Sequence, residues 1–398
     1  MANGTVQAVR PVSDPDRIGR IGPTEGRGLS PAGCGTSGGS LVVFVCAGCG
    51  ATLSAPVERV VLPDHAHRQW GNGVLMPVLM EPGTYAVDPA RWGPPWRPWD
   101  EVGEAGAAAL GVFAPVYRVS LGAAGAVVLA PGDVRGTVLV PERCVGYCCG
   151  LDGSSGPNLA CTRCGRMVGA RIDDCSLWQS VRLEADAVRR VGGDSECPGW
   201  EEALAAARWE KAPGGPWPER PLELWNRAVA YEGVWEAAAG VALARLVAVA
   251  AGVRMVWEGP LSVLFSAAWE ALFPVGASRL RVALAGPGVG EPDADVLVVP
   301  VHPRSGAVWR PSGSVPVVPL AAGAWAHLAL PGGPELAVVS GRVPEEVLRG
   351  EVSVEMLSCR RSRPDREVFL DVLARLPQVR EPGVRAVYDR VRGEWGLF

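Results

Sequence analysis

Two short stretches of this sequence carry residues of the type and spacing that hold a metal ion. Cys46-Ala-Gly-Cys49 is followed by Gly50, and Cys161-Thr-Arg-Cys164 by Gly165. Two residues between cysteines let one tight turn aim both sulfurs at a single ion, and the following glycine lets backbone N–H groups approach the thiolates. One pair alone is an incomplete ligand set. Two pairs supply four thiolates, a closed tetrahedral set with no position left for a substrate, which is the structural kind of zinc site. Iron would accept the same four ligands. Thioredoxin-like redox chemistry would want its CxxC at the start of a helix. Neither stretch reads that way: residues 41–45 run strand-like into the first pair, and strand-like residues follow both, at 51–53 and 167–172.

These two stretches resemble the knuckles of the zinc-ribbon, or rubredoxin-like, proteins, on Cys46, Cys49, Gly50, Cys161, Cys164 and Gly165. The resemblance covers those residues only, and it implies a four-cysteine zinc site carried on β-hairpins. The chain departs from the compact ribbon because 111 residues separate Cys49 from Cys161. The ribbon is therefore expected to be split by an insertion.

A second set of ligand types surrounds the first. Asp64 precedes His65-x-His67, Cys148 and Cys149 lie just before the second knuckle, and Asp173, Asp174 and Cys175 just after it. On a strand, His65 and His67 would point to one face, as an H-x-H pair must to share an ion. A site of His65 and His67 with Cys148, Cys149 or Cys175, if it kept an open position, would activate water for hydrolysis. The bland reading makes the histidines part of a surface turn and the cysteines small buried hydrophobes. His302 and His327 stand alone and read as hydrogen-bonded structural histidines.

The elements that must position these groups follow from pattern. A length of 398 residues predicts more than one domain. Residues 1–40, rich in Gly, Pro, Ser, Asp and Arg, read as a flexible tail. Residues 41–195 read as a β-rich zinc-binding domain holding the split ribbon, with strands at 41–45, 57–62, 111–121, 126–129 and 136–140. Within it "RWGPPWRPWD", 91–100, reads as a rigid loop whose indoles cover a small core, or else as a stacking or peptide-binding surface.

A Gly- and Pro-rich boundary near 190–220 leads to 196–398, a mixed helix and strand domain. Helices are expected at 199–210, from Pro221 to about 250, at 262–273, 320–330, 366–376 and 382–392, with strands at 280–284 and 296–301. Gly233 and Gly240 are positioned to kink or divide the long helix. The fold class expected is α+β.

Composition narrows the function. A net charge of −4 and a pI near 5.8 advertise neither nucleic acid nor an anionic membrane. Lys211 is the only lysine, and with the abundance of Ala, Gly, Pro and Val this reads as the codon pressure of a GC-rich bacterial genome. The first twenty residues lack an apolar signal core, and paired CxxC spacings then suggest metal ligands in a reducing cytoplasm. The most membrane-like stretch, 237–253, is short for a span and carries Arg245 near its middle, so a buried helix is expected.

The leading expectation is a cytoplasmic, zinc-stabilised binding or assembly protein with a protein partner. The alternative is the metal-dependent hydrolase using the second site. A third is a nucleic-acid-binding ribbon, suggested by Arg163, Arg166 and Arg171 beside the second knuckle and opposed by the acidic balance.

Overall fold

In the computed structural model the described residues are 41–69, 77–146, 151–193, 197–207, 221–250, 253–273, 279–330, 363–394 and 396–397, with the backbone alone for 221–232. The expected tail at 1–40, Cys148 and Cys149 lie outside them.

The first half is built mainly on antiparallel pairing, with β2 (Glu58–Arg59) and β3 (Thr84–Asp88) parallel. Its strands are β1 (Val43–Cys46), β2 (Glu58–Arg59), β3 (Thr84–Asp88), β4 (Trp96–Pro98), β5 (Arg118–Ser120), β6 (Ala126–Leu129), β7 (Thr137–Leu139), β8 (Leu159–Cys161), β9 (Met167–Asp174), β10 (Leu177–Leu183) and β11 (Val188–Val191). Seven of them form one sheet in the order β2-β3-β6-β10-β9-β8-β7, while β1 pairs β11 and β4 pairs β5. The run Ala-Val-Val-Leu of β6 shows why the sheet has a core on both faces. Val127 and Leu129 pack with Phe44, Leu53, Tyr85 and Leu183. Val128, pointing the opposite way, packs with Ala86, Met80 and Trp178.

The tryptophan stretch is not simply a loop. It contains a cis Pro94–Pro95 bond, then β4, then helix α1 (Trp99–Ala109), which breaks at Gly103 with φ 72° and ψ 160°. Of the expected strand 111–121 only Arg118–Ser120 pairs. Of 57–62, Glu58–Arg59 pairs with β3 and Val57 forms a single bridge to Val42.

The second half is a parallel α/β unit. Strands β12 (Arg254–Trp257), β13 (Arg279–Leu284), β14 (Val296–Pro300) and β15 (Val317–Leu320) lie side by side in chain order, all parallel. The helices are α2 (Trp200–Ala206), α3 (Pro221–Ala250), α4 (Leu261–Leu272), α5 (Ala322–Ala329) and, toward the end, α6 (Arg366–Arg375) and α7 (Pro382–Gly393). Val282, Leu284, Val296 and Val298 face the helices, in one core with Leu243, Phe265, Trp325 and Phe369. The alternate residues Ala283, Leu297 and Val299 pack under Trp309 and Val315 on the other face. Ala107, Val112 and Ala114, from the stretch between β4 and β5, and Val119 of β5 enter the helical core as well. The mixture of helices and sheets is α+β in content, as expected.

Helix α3 runs unbroken past Gly233 and Gly240. Gly240 serves close approach: a Cβ there would lie 2.7 Å from the carbonyl oxygen of Asp365, just before α6. Residues Gly233–Ala250 are long and apolar enough to cross a membrane by length and composition, and 72% of that stretch is buried inside the protein.

Candidate metal centre

The structure brings the two knuckles together. β1 ends on Cys46 and β8 ends on Cys161, and each strand turns in the same way. The Cys46 and Cys161 amides donate to the carbonyls of Ala51 and Arg166, both at 2.8 Å, and the Gly50 and Gly165 amides donate back to the carbonyls of Cys46 and Cys161, both at 2.9 Å. Gly50 and Gly165 take the left-handed conformation, φ 73° and 72°. That conformation is why a glycine stands after each pair. The knuckles touch through Gly136, whose carbonyl accepts from the Thr162 amide at 3.0 Å. A Cβ on Gly136 would lie 2.5 Å from the Thr52 carbonyl oxygen.

All four sulfurs lie within 4.8 Å of one another. Cys46 Sγ is 3.6 Å from Cys164 Sγ, and Cys49 Sγ 3.6 Å from Cys161 Sγ. Those separations are far too long for a disulfide, whose sulfurs sit about 2.05 Å apart. They match the edge of a tetrahedron around an ion at zinc–thiolate distance, about 3.8 Å. The four cysteines are thus compatible with a zinc site, and among the described residues they are the only group of three or more His, Cys, Asp or Glu side chains able to share an ion.

The surroundings favour negative sulfur at Cys46 and oppose it at Cys164. Burial raises the Cys46 thiol, but hydrogen bonds from the backbone N–H groups of Cys49 and Gly48 and the neighbouring sulfurs outweigh it, and the pKa falls to about 7. At exposed Cys164 a backbone hydrogen bond at Arg166 pulls the other way, but the neighbouring cysteines, Cys49 foremost, hold the pKa up at about 11. Four adjacent thiolates repel without a cation between them, which is the reason such a set takes a metal. Arginines line the outside: Arg163 donates to the Cys49 carbonyl at 3.4 Å and Arg166 to the Asp186 carbonyl at 3.0 Å. Arg171 is spent on Asp173 at 3.0 Å.

The second set of ligand types is arranged differently from the strand geometry expected. Residues 64–67 form a turn, in which the Ala66 amide donates to Pro63 and the Arg68 amide to His65. His65 is buried with its ring 4.3 Å from that of Trp178. Burial, aided by the Arg68 charge, depresses its pKa to about 3. His67 Nε2 instead faces Asp88, 3.0 Å from Oδ2. Cys175 is buried beside the Asp174 turn, whose carboxylate accepts from the Ser176 amide and hydroxyl. Among the described residues, His65, His67 and Cys175 join no group of ligands.

His302 and His327 fill structural roles. The ring of His302 donates to the Pro198 carbonyl and accepts from the Arg304 and Ser305 amides, and His327 lies edge-on to Trp235.

Sequence reasoning passed over the ion pair that crosses the large sheet. Arg182 of β10 and Asp88 of β3 are both buried and meet at 2.5 Å. The alternation Ser180-Val181-Arg182-Leu183, with polar side chains on one face, was the available signal. No protein-family model, curated protein or solved structure matches this chain.

Proposed function

We propose that the chain is a zinc-stabilised binding or assembly protein of the cytoplasm, in which Cys46, Cys49, Cys161 and Cys164 hold one structural zinc ion. The observation that carries this reading is the closed set of four sulfurs on two like-shaped knuckles, far apart in sequence, with no fifth ligand among the described residues. Such a centre ties the end of β1 to the end of β8 and fixes how the small β1–β11 ladder sits on the large sheet. Its role is to hold the fold that displays a binding surface to a partner protein.

Metal analysis of protein purified without added metal tests it. One zinc per chain is expected, lost in Cys46→Ser and Cys161→Ser together with the folding of the β-rich half, because the affinity of a structural zinc, on the order of 10 kcal/mol, is folding free energy. Metal-free protein that melts at the same temperature as zinc-loaded protein would overturn the reading, as would one iron in place of zinc. The hydrolase alternative demands a second metal equivalent that survives the cysteine substitutions.

A further inference from the structure

The polar face of β10 lines a cavity of about 180 Å³ that none of the four cysteines touches. Its walls come from Trp178, Ser180 and Arg182, from Trp92 and Trp96 across the cis-proline turn, and from Arg375 of α6. A protein cavity of about 150 Å³ takes a benzene ring, so this one has room for a ring and one substituent.

The charge at its mouth is unbalanced, where Arg91 and Arg118 are exposed. Asp88 takes up Arg182, and Asp371 takes up Arg375 through two hydrogen bonds of 3.1 and 2.8 Å. Two further guanidinium groups line the cavity, those of Arg91 and Arg118. Arg91 donates to the Gly122 carbonyl at 3.0 Å, and Arg118 lies 5.9 Å from the Trp96 ring centre. Among the described residues, neither has a carboxylate partner. Trp178 contributes ring surface to the wall, while its indole N–H is sealed away from the cavity. Two cations without an anion beside an indole-walled space are what an acidic ring compound would satisfy.

We propose that this cavity is a binding site for a small aromatic carboxylate, its ring between the indoles and its anionic group on Arg91 and Arg118. The site goes beyond the zinc reading and does not depend on it.

Calorimetric titration of the full-length, metal-loaded protein tests the assignment, with benzoate as probe, benzamide as its uncharged counterpart and acetate as the charge without the ring. Benzoate is expected to saturate one site and to bind at least about tenfold more tightly than either control. Arg118→Gln, a change at an exposed side chain, is expected to weaken benzoate by about tenfold with the melting temperature unchanged. The proposal fails if benzoate shows no saturable binding up to roughly 10 mM, if acetate binds as well, or if Arg118→Gln binds benzoate like the parent.

Discussion

Asp88 and Arg182 form an ion pair that is sealed inside the protein, the carboxylate on β3 and the guanidinium on β10, two strands away across β6. His67 closes the other side of the same carboxylate. Burial opposes the charge on Asp88, but the hydrogen bond and charge of His67 and the pairing with Arg182 outweigh it, and the carboxyl is held well below its ordinary range. Removing one member strands the other. Asp88→Asn and Arg182→Met are each expected to cost about 3–5 kcal/mol in denaturant unfolding, while the double variant should recover much of that loss. Because the folded carboxyl titrates lower than the unfolded one, the pair's contribution is complete above pH 3.8 and fades as the pH falls below it.

His65 sets a second, earlier acid limit. An unfolded histidine takes up its proton near pH 6.5, whereas the buried ring holds out to about 3. Between those values the unfolded state binds more protons, so stability is full above pH 6.5 and falls progressively toward pH 3, by about 4 kcal/mol in all. Asp64 acts oppositely, since burial raises its pKa to about 6 and the folded state gains from protonating it. The comparison to make is therefore with His65→Phe, which keeps a ring against Trp178. Its unfolding free energy should decline less between pH 6.5 and 4 than the parent's, and equal slopes would refute the assignment.

Gly240 makes a prediction opposite to helix propensity. Alanine is the better helix former by about 1 kcal/mol. At this position, however, its methyl would meet backbone, the Asp365 carbonyl oxygen at 2.7 Å and the Phe369 amide nitrogen at 3.3 Å. The Asp365 amide donates to the Glu236 carbonyl, and its carboxylate caps α6 through the Val368 amide, so the start of α6 cannot retreat without losing both. Gly240→Ala is expected to lower stability by about 1–3 kcal/mol. Gly106→Ala, which meets only a methyl of the Val102 side chain, at 3.2 Å, should cost less than Gly240→Ala.

Local chemistry was the legible part of this molecule. Each knuckle is written in five consecutive residues, and its backbone geometry follows from them. The apolar periodicity of α3, α4, α6 and α7 placed those helices within a residue or two. What escaped depended on distant partners. β10 reads as an unremarkable mixture, because the charge of Arg182 is answered by Asp88 on a distant strand rather than by water. β15 contains Pro319, which argues against a strand, yet it pairs with β14 at the sheet's edge. His65 and His67 invited a strand, but Pro63 and Asp64 open a turn, and the two rings go to different neighbours.

The contact between the knuckles yields the sharpest test of the metal centre's architecture. Gly136 and Gly165 both have left-handed backbone, φ 56° and 72°, but only Gly136 is also confined, between Thr52 and Thr162. Alanine at 165 meets nothing within 4 Å, so it carries the conformational cost alone, about 1–2 kcal/mol. Alanine at 136 adds a clash with the Thr52 carbonyl oxygen, which can be relieved only by moving one knuckle away from the other. Gly136→Ala is therefore expected to release zinc to a chelator at least about tenfold faster than the parent. Gly165→Ala should lower the melting temperature while keeping a release rate within about threefold of the parent's. Equal release from both variants would mean that the two halves of the site are held together by the metal alone and not by the Gly136 contact.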